Sequence, residues 1–245
     1  MKLTFMGTAG ARFMVAKQLA ASGGLYIEEG STRLACDPGP GAVVQYAKRK
    51  VDLARLDGIL VSHRHLDHSS DVNVMIEGMT EGGFRPRGKL FCPADALDHD
   101  PVVLHYLRAF PREVVRLEPT TVYRLGDLEF TTTRRHPHGA ETYGFRFGQR
   151  LGWVTDSDWY DAIVEDHQAE VMVLHTVLLD ERPDLPHLSI PEAARIIAEA
   201  RPRLAIITHF GMNVWRAHPW EVAEQMTQAT GIQVKAARDG MSLEI

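Results

Sequence analysis

The stretch Leu60-Val61-Ser62-His63-Arg64-His65-Leu66-Asp67-His68 decides how the rest of the chain is interpreted. It begins in the apolar run Gly58–Ser62, which predicts a buried strand. A strand end forms a rigid base from which a loop can turn several side chains toward one point. His63 and His65 are two residues apart and share one face of an extended chain. Asp67 and His68 follow where the chain turns, so they can reach a second point nearby.

One ion cannot easily use all four of these side chains, whereas two ions a few ångströms apart can share them. Two-metal sites of this kind suit hydrolysis. The alternative, a histidine-rich loop exposed to solvent, leaves unexplained why the motif follows an apolar strand directly. The motif therefore predicts a two-metal site built from histidine and carboxylate.

The composition agrees with that interpretation and excludes several classes of protein. The chain has 245 residues, 44% of them apolar, which is ample for the core of one domain over residues 1–245. Twelve histidines stand against two cysteines, so neither a disulfide scaffold nor a four-thiolate zinc site is expected. The net charge of −5 gives no basic field over the whole molecule for a general nucleic-acid binder. Without a membrane-spanning apolar stretch or a signal peptide, we expect a cytoplasmic protein with no membrane partner.

Strand patterns and helix patterns alternate along the chain, which indicates a layered α/β protein. Strands are predicted at Leu3–Gly7, Leu25–Glu29, Arg33–Asp37, Gly58–Ser62, Lys89–Cys92, Val114–Leu125, Asp127–Thr133, Thr142–Phe147, Leu151–Thr155, Val171–Leu174, Leu204–Thr208, Val234–Ala236 and Met241–Ile245. Helices are predicted at Ala42–Lys50, Asp71–Glu81, beyond Pro101, at Pro191–Ala200 and at Pro219–Thr230. Each half has several strands followed by helices, so we expect two sheets packed face to face with helices outside.

The His-x-His-x-Asp-His motif resembles the signature of the metallo-β-lactamase fold superfamily, and the resemblance extends over essentially the whole chain. It implies an α/β fold, a four-layer αββα sandwich of two mixed sheets packed face to face with helices outside. The turn Asp37-Pro38-Gly39 resembles the acidic turn that helps to orient the metal loop in that superfamily.

Three later blocks resemble the remaining ligand motifs of the superfamily. In Arg135–Arg146 the family pattern is a histidine followed six residues later by glycine and an aromatic, which selects His138 over His136. Asp156, after an apolar strand, resembles the carboxylate that bridges both metals, and His209 resembles the last ligand.

The resemblance thus implies two divalent ions, with zinc expected and Mn or Fe as alternatives. The implied ligands are His63, His65 and His138 for one ion, Asp67, His68 and His209 for the other, and Asp156 between them. A common β-lactamase has a cysteine where this chain has Asp156, which argues against antibiotic hydrolysis and favours the branches with a bridging aspartate.

Within the superfamily the chain resembles the phosphodiesterase branch, which includes ribonuclease Z and a small cyclic phosphodiesterase. The block Pro186-His187-Leu188-Ser189 resembles the one whose histidine is a proton donor in that branch. The implied chemistry is attack on phosphorus by a metal-bridging hydroxide, with the leaving alkoxide protonated by a histidine. Asp67 and His187 are the candidate catalytic residues, although His187 could instead cap the following helix.

Two departures separate the chain from ribonuclease Z. The glutamate of the His-Glu-Ala-Thr block is replaced by Thr176, and the chain between His138 and Asp156 is too short for a long tRNA-grasping arm. A small or cyclic phosphodiester is therefore the expected substrate, and nucleic acid is not favoured. The alternatives are ribonuclease Z-like RNA processing, thioester or lactone hydrolysis of the glyoxalase II type, and a metal-binding protein without catalysis.

Three side chains and one segment have more than one interpretation. Arg64 and Arg146 are candidates for phosphate contact, because guanidinium matches phosphate bidentately, but both fit surface ion pairs equally well. His175 is either a substrate or outer metal contact or a core histidine. Residues 82–116 either cover the metal cleft, form a contact between two copies in a homodimer, or are an ordinary surface insertion.

Overall fold

Two seven-stranded sheets form the frame of the protein in a computed structural model that describes residues 1–245. The first sheet has the strand order β14-β1-β2-β3-β4-β5-β6. Its strands are β1 Lys2–Phe5, β2 Leu25–Glu29, β3 Thr32–Cys36, β4 Gly58–Leu60, β5 Lys89–Cys92, β6 Glu113–Arg116 and β14 Ser242–Glu244. Pairing is antiparallel from β14 to β3 and parallel from β3 to β6, so the sheet is mixed.

The second sheet repeats this division in the order β13-β12-β11-β10-β9-β8-β7. Its strands are β7 Val122–Leu125, β8 Leu128–Arg135, β9 Tyr143–Phe147, β10 Leu151–Val154, β11 Val171–His175, β12 Leu204–Thr208 and β13 Val234–Ala236. Pairing is antiparallel from β7 to β10 and parallel from β10 to β13.

Helices cover the outer face of each sheet. They are α1 Ala11–Lys17, α2 Ala42–Lys48, α3 Leu66–Ser69, α4 Val72–Thr80, α5 Ile163–His167, α6 Ile190–Ala200, α7 Met212–Arg216 and α8 Pro219–Thr230. Leu3 and Phe5 alternate with outward-facing residues along β1 and join a core between the sheets, with Trp153 on the opposite side. A second apolar cluster lies under α2 and α4, and a third under α6 and α8. The predicted αββα sandwich is confirmed.

Most of the candidate ligands follow strands in the parallel half of each sheet. The carboxyl ends of parallel strands meet at one edge of a sheet, where α/β proteins commonly bind ligands. The loop after β4 carries the His63 motif, Asp156 follows β10, His175 ends β11 and His209 follows β12.

Two sequence predictions were wrong in detail, and three short helices were missed. Val114–Leu125 is not one strand: β6 and β7 belong to different sheets, and the chain crosses between them around Pro119. The expected helix beyond Pro101 is only a 3-10 turn at His105–Ala109. The short helices α1, α5 and α7 were not predicted. None of the helices has both the length and the apolar character that crossing a bilayer requires.

Candidate metal centre

Three histidines form the first part of the site, called here the first trio: His63, His65 and His138. Nε2 of His63 lies 3.0 Å from Nδ1 of His65, and Nε2 of His138 lies 3.1 Å from the same atom. Two nitrogens that each lie about 2.1 Å from one ion are about 3 Å apart when they subtend a right angle. The three nitrogens are therefore spaced as ligands of a single cation.

The hydrogen bonds of the first trio determine which nitrogens carry protons. Ser62 Oγ has one proton, which it donates to the carboxylate of Asp37 at 2.7 Å. It must therefore accept from Nδ1 of His63 at 3.0 Å, which leaves the His63 Nε2 lone pair facing the trio. Nδ1 of His138 donates to the Pro186 carbonyl at 2.8 Å, with the same consequence for its Nε2. Converging lone pairs repel each other unless a cation lies between them.

Asp67, His68 and His209 form the second trio. Oδ2 of Asp67 lies 3.5 Å from Nε2 of His209 and 3.7 Å from Nε2 of His68. Nδ1 of His68 donates to Asp37 at 2.9 Å, so its Nε2 is directed into the cluster. Within the cluster, several ring nitrogens are buried without a hydrogen-bond partner: His68 Nε2, both nitrogens of His209, and His187 Nδ1. Unpaired buried polar atoms are costly, and a bound cation would satisfy them.

Asp156 lies between the two trios. Its Oδ2 is 3.5 Å from Nε2 of His68, 3.9 Å from that of His63 and 4.0 Å from that of His138. Burial alone would raise the pKa of Asp156, but the neighbouring imidazoles of His209 and His68 hold it well below its ordinary value. The carboxylate is therefore ionised and able to face cations on both sides.

His63 and His65 of the first trio differ from His68 of the second trio in the direction of their pKa shifts. Burial lowers the pKa of His63 well below its ordinary value. Burial is also the main cause that lowers the pKa of His65. Burial opposes protonation of His68 too, but the carboxylates of Asp67 and Asp156 outweigh it and raise its pKa. A cation that binds His68 must displace this proton, so metal affinity falls as pH falls.

The acidic turn at Asp37 supports both trios, as the sequence predicts. Besides Ser62 Oγ and His68 Nδ1, its carboxylate accepts the backbone N–H of Ser62 at 2.6 Å. The backbone of Asp37 is in the left-handed region, with φ +49°. Gly39 follows in close approach to the metal loop, because a Cβ there would lie 1.9 Å from the Asp67 carbonyl oxygen.

His187 lies at the edge of the cluster and does not cap a helix. Its Nδ1 is 3.5 Å from Oδ2 of Asp156, and its ring centre is 4.9 Å from that of His138. Burial lowers the pKa of His187 to about 4. The cap of α6 is Ser189, which forms a capping box with Glu192.

His175 is buried beside Asp156, and sequence reasoning missed its partners. Its Nδ1 is 2.8 Å from Oδ1 of Asp156, and its Nε2 accepts a hydrogen bond from Trp153 Nε1 at 3.1 Å. His136 is also buried, but its Nδ1 is 3.1 Å from the backbone carbonyl of Asp156 and its ring is outside the cluster. The structure therefore brings His138, and not His136, to the first trio.

The two arginines proposed for phosphate contact differ in position. Arg64 donates to the His99 carbonyl at 3.0 Å, at the rim of the metal loop. Arg146 does not reach the cluster: it pairs with Gly152 in the middle of β10 and lies near His167 of α5.

Residues 82–116 contact two loops that carry ligands, the loop after β4 and the loop between β8 and β9. Arg64 contacts His99, and the backbone N–H of Glu141 donates to Asp95 at 3.0 Å. Phe84 is 91% exposed and Tyr106 62% exposed.

The donor set consists of imidazole nitrogens and carboxylate oxygens and is able to bind a metal ion. Residues 32–210 match the model of the β-lactamase superfamily domain family. An uncharacterised protein of Methanocaldococcus jannaschii is 27% identical over 254 residues, covering 100% of this chain and 95% of that protein. A ribonuclease Z of Kineococcus radiotolerans is 25% identical, covering 86% of this chain and 84% of that one.

Solved structures show the same fold at low identity. The metallo-β-lactamase fold protein YhfI from Bacillus subtilis aligns with a TM-score of 0.80 at 18% identity, over 100% of this chain and 99% of that one. A diphosphatase from the PhnP family aligns with a TM-score of 0.75 at 19% identity, over 100% and 96%.

Proposed function

Since the chain belongs to the β-lactamase superfamily, we propose that it is a metal-dependent phosphodiesterase that acts on a small or cyclic phosphodiester. The observation that carries the proposal is the position of Asp156, whose ionised carboxylate lies between two sets of converging donors. A diphosphatase and a ribonuclease Z among the similar proteins support phosphoester chemistry.

Two divalent ions fit the donors, with zinc proposed and Mn or Fe as alternatives. His63, His65 and His138 would hold one ion, Asp67, His68 and His209 the other, and Asp156 would contact both. When bound, such ions supply a nucleophile at neutral pH and stabilise charge that develops on the phosphoryl oxygens.

His187 is the proposed proton donor to the leaving alkoxide. Its side chain is 20% exposed, so the ring lies where the cluster meets solvent. Burial lowers the pKa of His187 to about 4, so the ring is neutral at pH 7 until substrate arrives. The negative charge of a bound phosphodiester favours the imidazolium, which can then release its proton to the departing oxygen.

The substrate is small because the chain offers nothing to grasp a large one near the cluster. The residues between His138 and Asp156 are used by one loop and the β9–β10 hairpin, so no arm projects there. The net charge of −5 also disfavours a polyanion. The similarity to ribonuclease Z favours RNA processing as the second candidate.

The test is a panel of phosphodiesters with Zn or Mn, in wild type and in Asp156→Ala. The panel contains bis(p-nitrophenyl) phosphate, 2′,3′- and 3′,5′-cyclic nucleotides and a tRNA precursor. We expect metal-dependent turnover of small diesters, and loss of both turnover and two-ion occupancy in Asp156→Ala. Asp166→Ala, which removes a carboxylate bonded to Tyr160 outside the cluster, is the matched control. Full activity in Asp156→Ala would contradict the proposal.

His187→Ala separates phosphoester from acyl chemistry. Loss of cyclic-nucleotide turnover is expected, because an alkoxide leaving group needs the proton, whereas bis(p-nitrophenyl) phosphate releases a phenolate that does not. Faster hydrolysis of a thioester or lactone than of any diester, unaffected by His187→Ala, would instead favour the glyoxalase II type. Full metal occupancy without hydrolysis of any ester would identify a binding protein.

A further inference from the structure

We propose that His175 is a positioning residue for Asp156 and that Trp153 fixes its tautomer. The inference rests on the proposed function only in taking Asp156 as the carboxylate between the ions. It adds a role for two residues, one on β10 and one on β11, that neither the ligand motifs nor the proton donor require.

The indole of Trp153 lies in the core between the sheets and is 1% exposed. An indole N–H can only donate, so Nε2 of His175 must accept its hydrogen bond at 3.1 Å. A neutral imidazole that accepts at Nε2 carries its proton at Nδ1. That proton points at Oδ1 of Asp156, 2.8 Å away.

This arrangement excludes His175 as a metal ligand. Donor atoms of His68, Asp156, His175 and His209 lie within 4.8 Å of one another, so position alone would allow His175 to ligate an ion. Both of its ring nitrogens are already used, however, and no lone pair is left for a cation.

The same hydrogen bond assigns the two oxygens of Asp156 different tasks. Oδ1 accepts from His175 and lies 3.3 Å from Nδ1 of His209, whereas Oδ2 is the atom nearest His68, His63 and His138. The His175 ring also lies parallel to that of His209, with centres 4.4 Å apart and planes 7° apart. His175 thus holds the carboxylate with Oδ2 directed at the cations and supports a second-trio ring by stacking.

The test compares His175→Asn with His175→Gln. The amide nitrogen of Asn can take the place of Nδ1 and donate to Asp156, while the longer Gln places its amide near Nε2 and lacks that donor. Binding of each of two zinc ions is measured by chelator competition. We expect His175→Gln to weaken binding of at least one ion by about 10–100-fold and His175→Asn to bind within about 3-fold of wild type.

Trp153→Phe removes the indole N–H and frees the tautomer of His175, so we expect a weaker version of the His175→Gln defect. His167→Asn replaces a buried histidine outside the cluster and is the control, with unchanged affinity. Equal losses in the Asn and Gln variants would show that His175 is a ligand and overturn the proposal, as would wild-type affinity in His175→Gln.

A second measurement does not depend on any variant folding or on activity. Nitrogen chemical shifts of the histidine rings, recorded on zinc-loaded and zinc-free wild type, report which nitrogen of His175 carries the proton. Protonation at Nδ1 is expected in both forms, and protonation at Nε2 would overturn the proposal. Failure of the diester panel with Nδ1 protonated would contradict only the proposed function.

Discussion

The first sheet supplies its side chains to the cluster from one loop after β4, whereas the second sheet supplies them one strand at a time. His63, His65, Asp67 and His68 all lie within one short stretch. His138, Asp156, His175 and His209 come from four separate strand ends.

The support for the two groups differs in the same way. Asp37 alone holds Ser62, and through it His63, as well as His68, so it serves both trios. In the second sheet the supports are local: His175 holds Asp156, and His209 has no hydrogen bond at either ring nitrogen. Replacing the support residue Asp37 should therefore affect both ions, whereas replacing the single proposed ligand His209 should affect only one.

Asp37→Asn is expected to have the largest effect. The backbone N–H of Ser62 needs an acceptor at Oδ1, so the new amide nitrogen takes the place of Oδ2, and both Ser62 and His68 must reverse their hydrogen bonds to it. Reversal moves a proton onto the Nε2 that should face an ion. We expect affinity for both ions to fall by about 10–100-fold each, and the free energy of unfolding to fall by about 3 kcal/mol. Chelator competition and chemical denaturation measure the two effects.

Asp71→Asn is the control for that prediction, because this carboxylate also accepts a backbone N–H, from Val43 at 3.0 Å, but contacts no ligand. It should lower stability without changing metal affinity. Loss of only one ion in Asp37→Asn would contradict the conclusion that Asp37 supports both trios.

His209→Asn is the corresponding change in the second sheet, and it is expected to affect one ion and not both. Asn tolerates the left-handed backbone of His209, where φ is +59°, but its side chain is too short to ligate. We expect one ion to be lost and the first trio to keep the other, giving half of the wild-type zinc content by elemental analysis. Loss of all zinc would show that the trios are not independent.

A buried histidine on the outer face of the second sheet makes the free energy of unfolding depend on pH. His167 is buried under α5, where its Nε2 has no partner, and burial lowers its pKa from 6.5 to about 4. Above pH 6.5 the folded and unfolded chains both hold it neutral. Between pH 6.5 and 4 the unfolded chain binds a proton that the folded chain does not, so folding loses about 3 kcal/mol.

His167→Asn keeps a donor for the Ile163 carbonyl and removes the titration. In chelator-treated protein the variant should lose less stability than wild type from pH 7 to 4, measured by denaturation with urea. Identical pH profiles would show that burial of His167 does not contribute.

Ser189→Ala is expected to have the smallest effect. It removes the cap of α6 and costs about 1 kcal/mol, while metal affinity stays unchanged because no ligand depends on that cap. A thermal melt detects the loss, and a drop in zinc affinity would show that the start of α6 also supports the centre.

The same contrast explains which features could be predicted from the sequence. The loop after β4 concentrates its ligands in a local motif, so the buried strand and the four polar residues were identified together. The hydrogen bond from Trp153 to His175 joins two neighbouring parallel strands, and no local pattern reports it.

Local patterns also fail where the chain changes sheets. The alternation in Val114–Leu125 continues through Pro119, although Glu113–Arg116 pairs with β5 and Val122–Leu125 pairs with β8. Pro119 was the available signal, because proline rarely lies within a strand. Helices α1, α5 and α7 have five to seven residues, too few for a helical repeat to be recognised.

The pairing of β14 with β1 sets an order of events during folding. Leu3 pairs with Leu243, so one edge of the first sheet is completed by a strand that is synthesised after all the others. Until then the edge of β1 offers free backbone groups to other chains, and contacts this distant in sequence form slowly. The nascent protein is therefore expected to be most prone to aggregation just before residues 242–244 emerge.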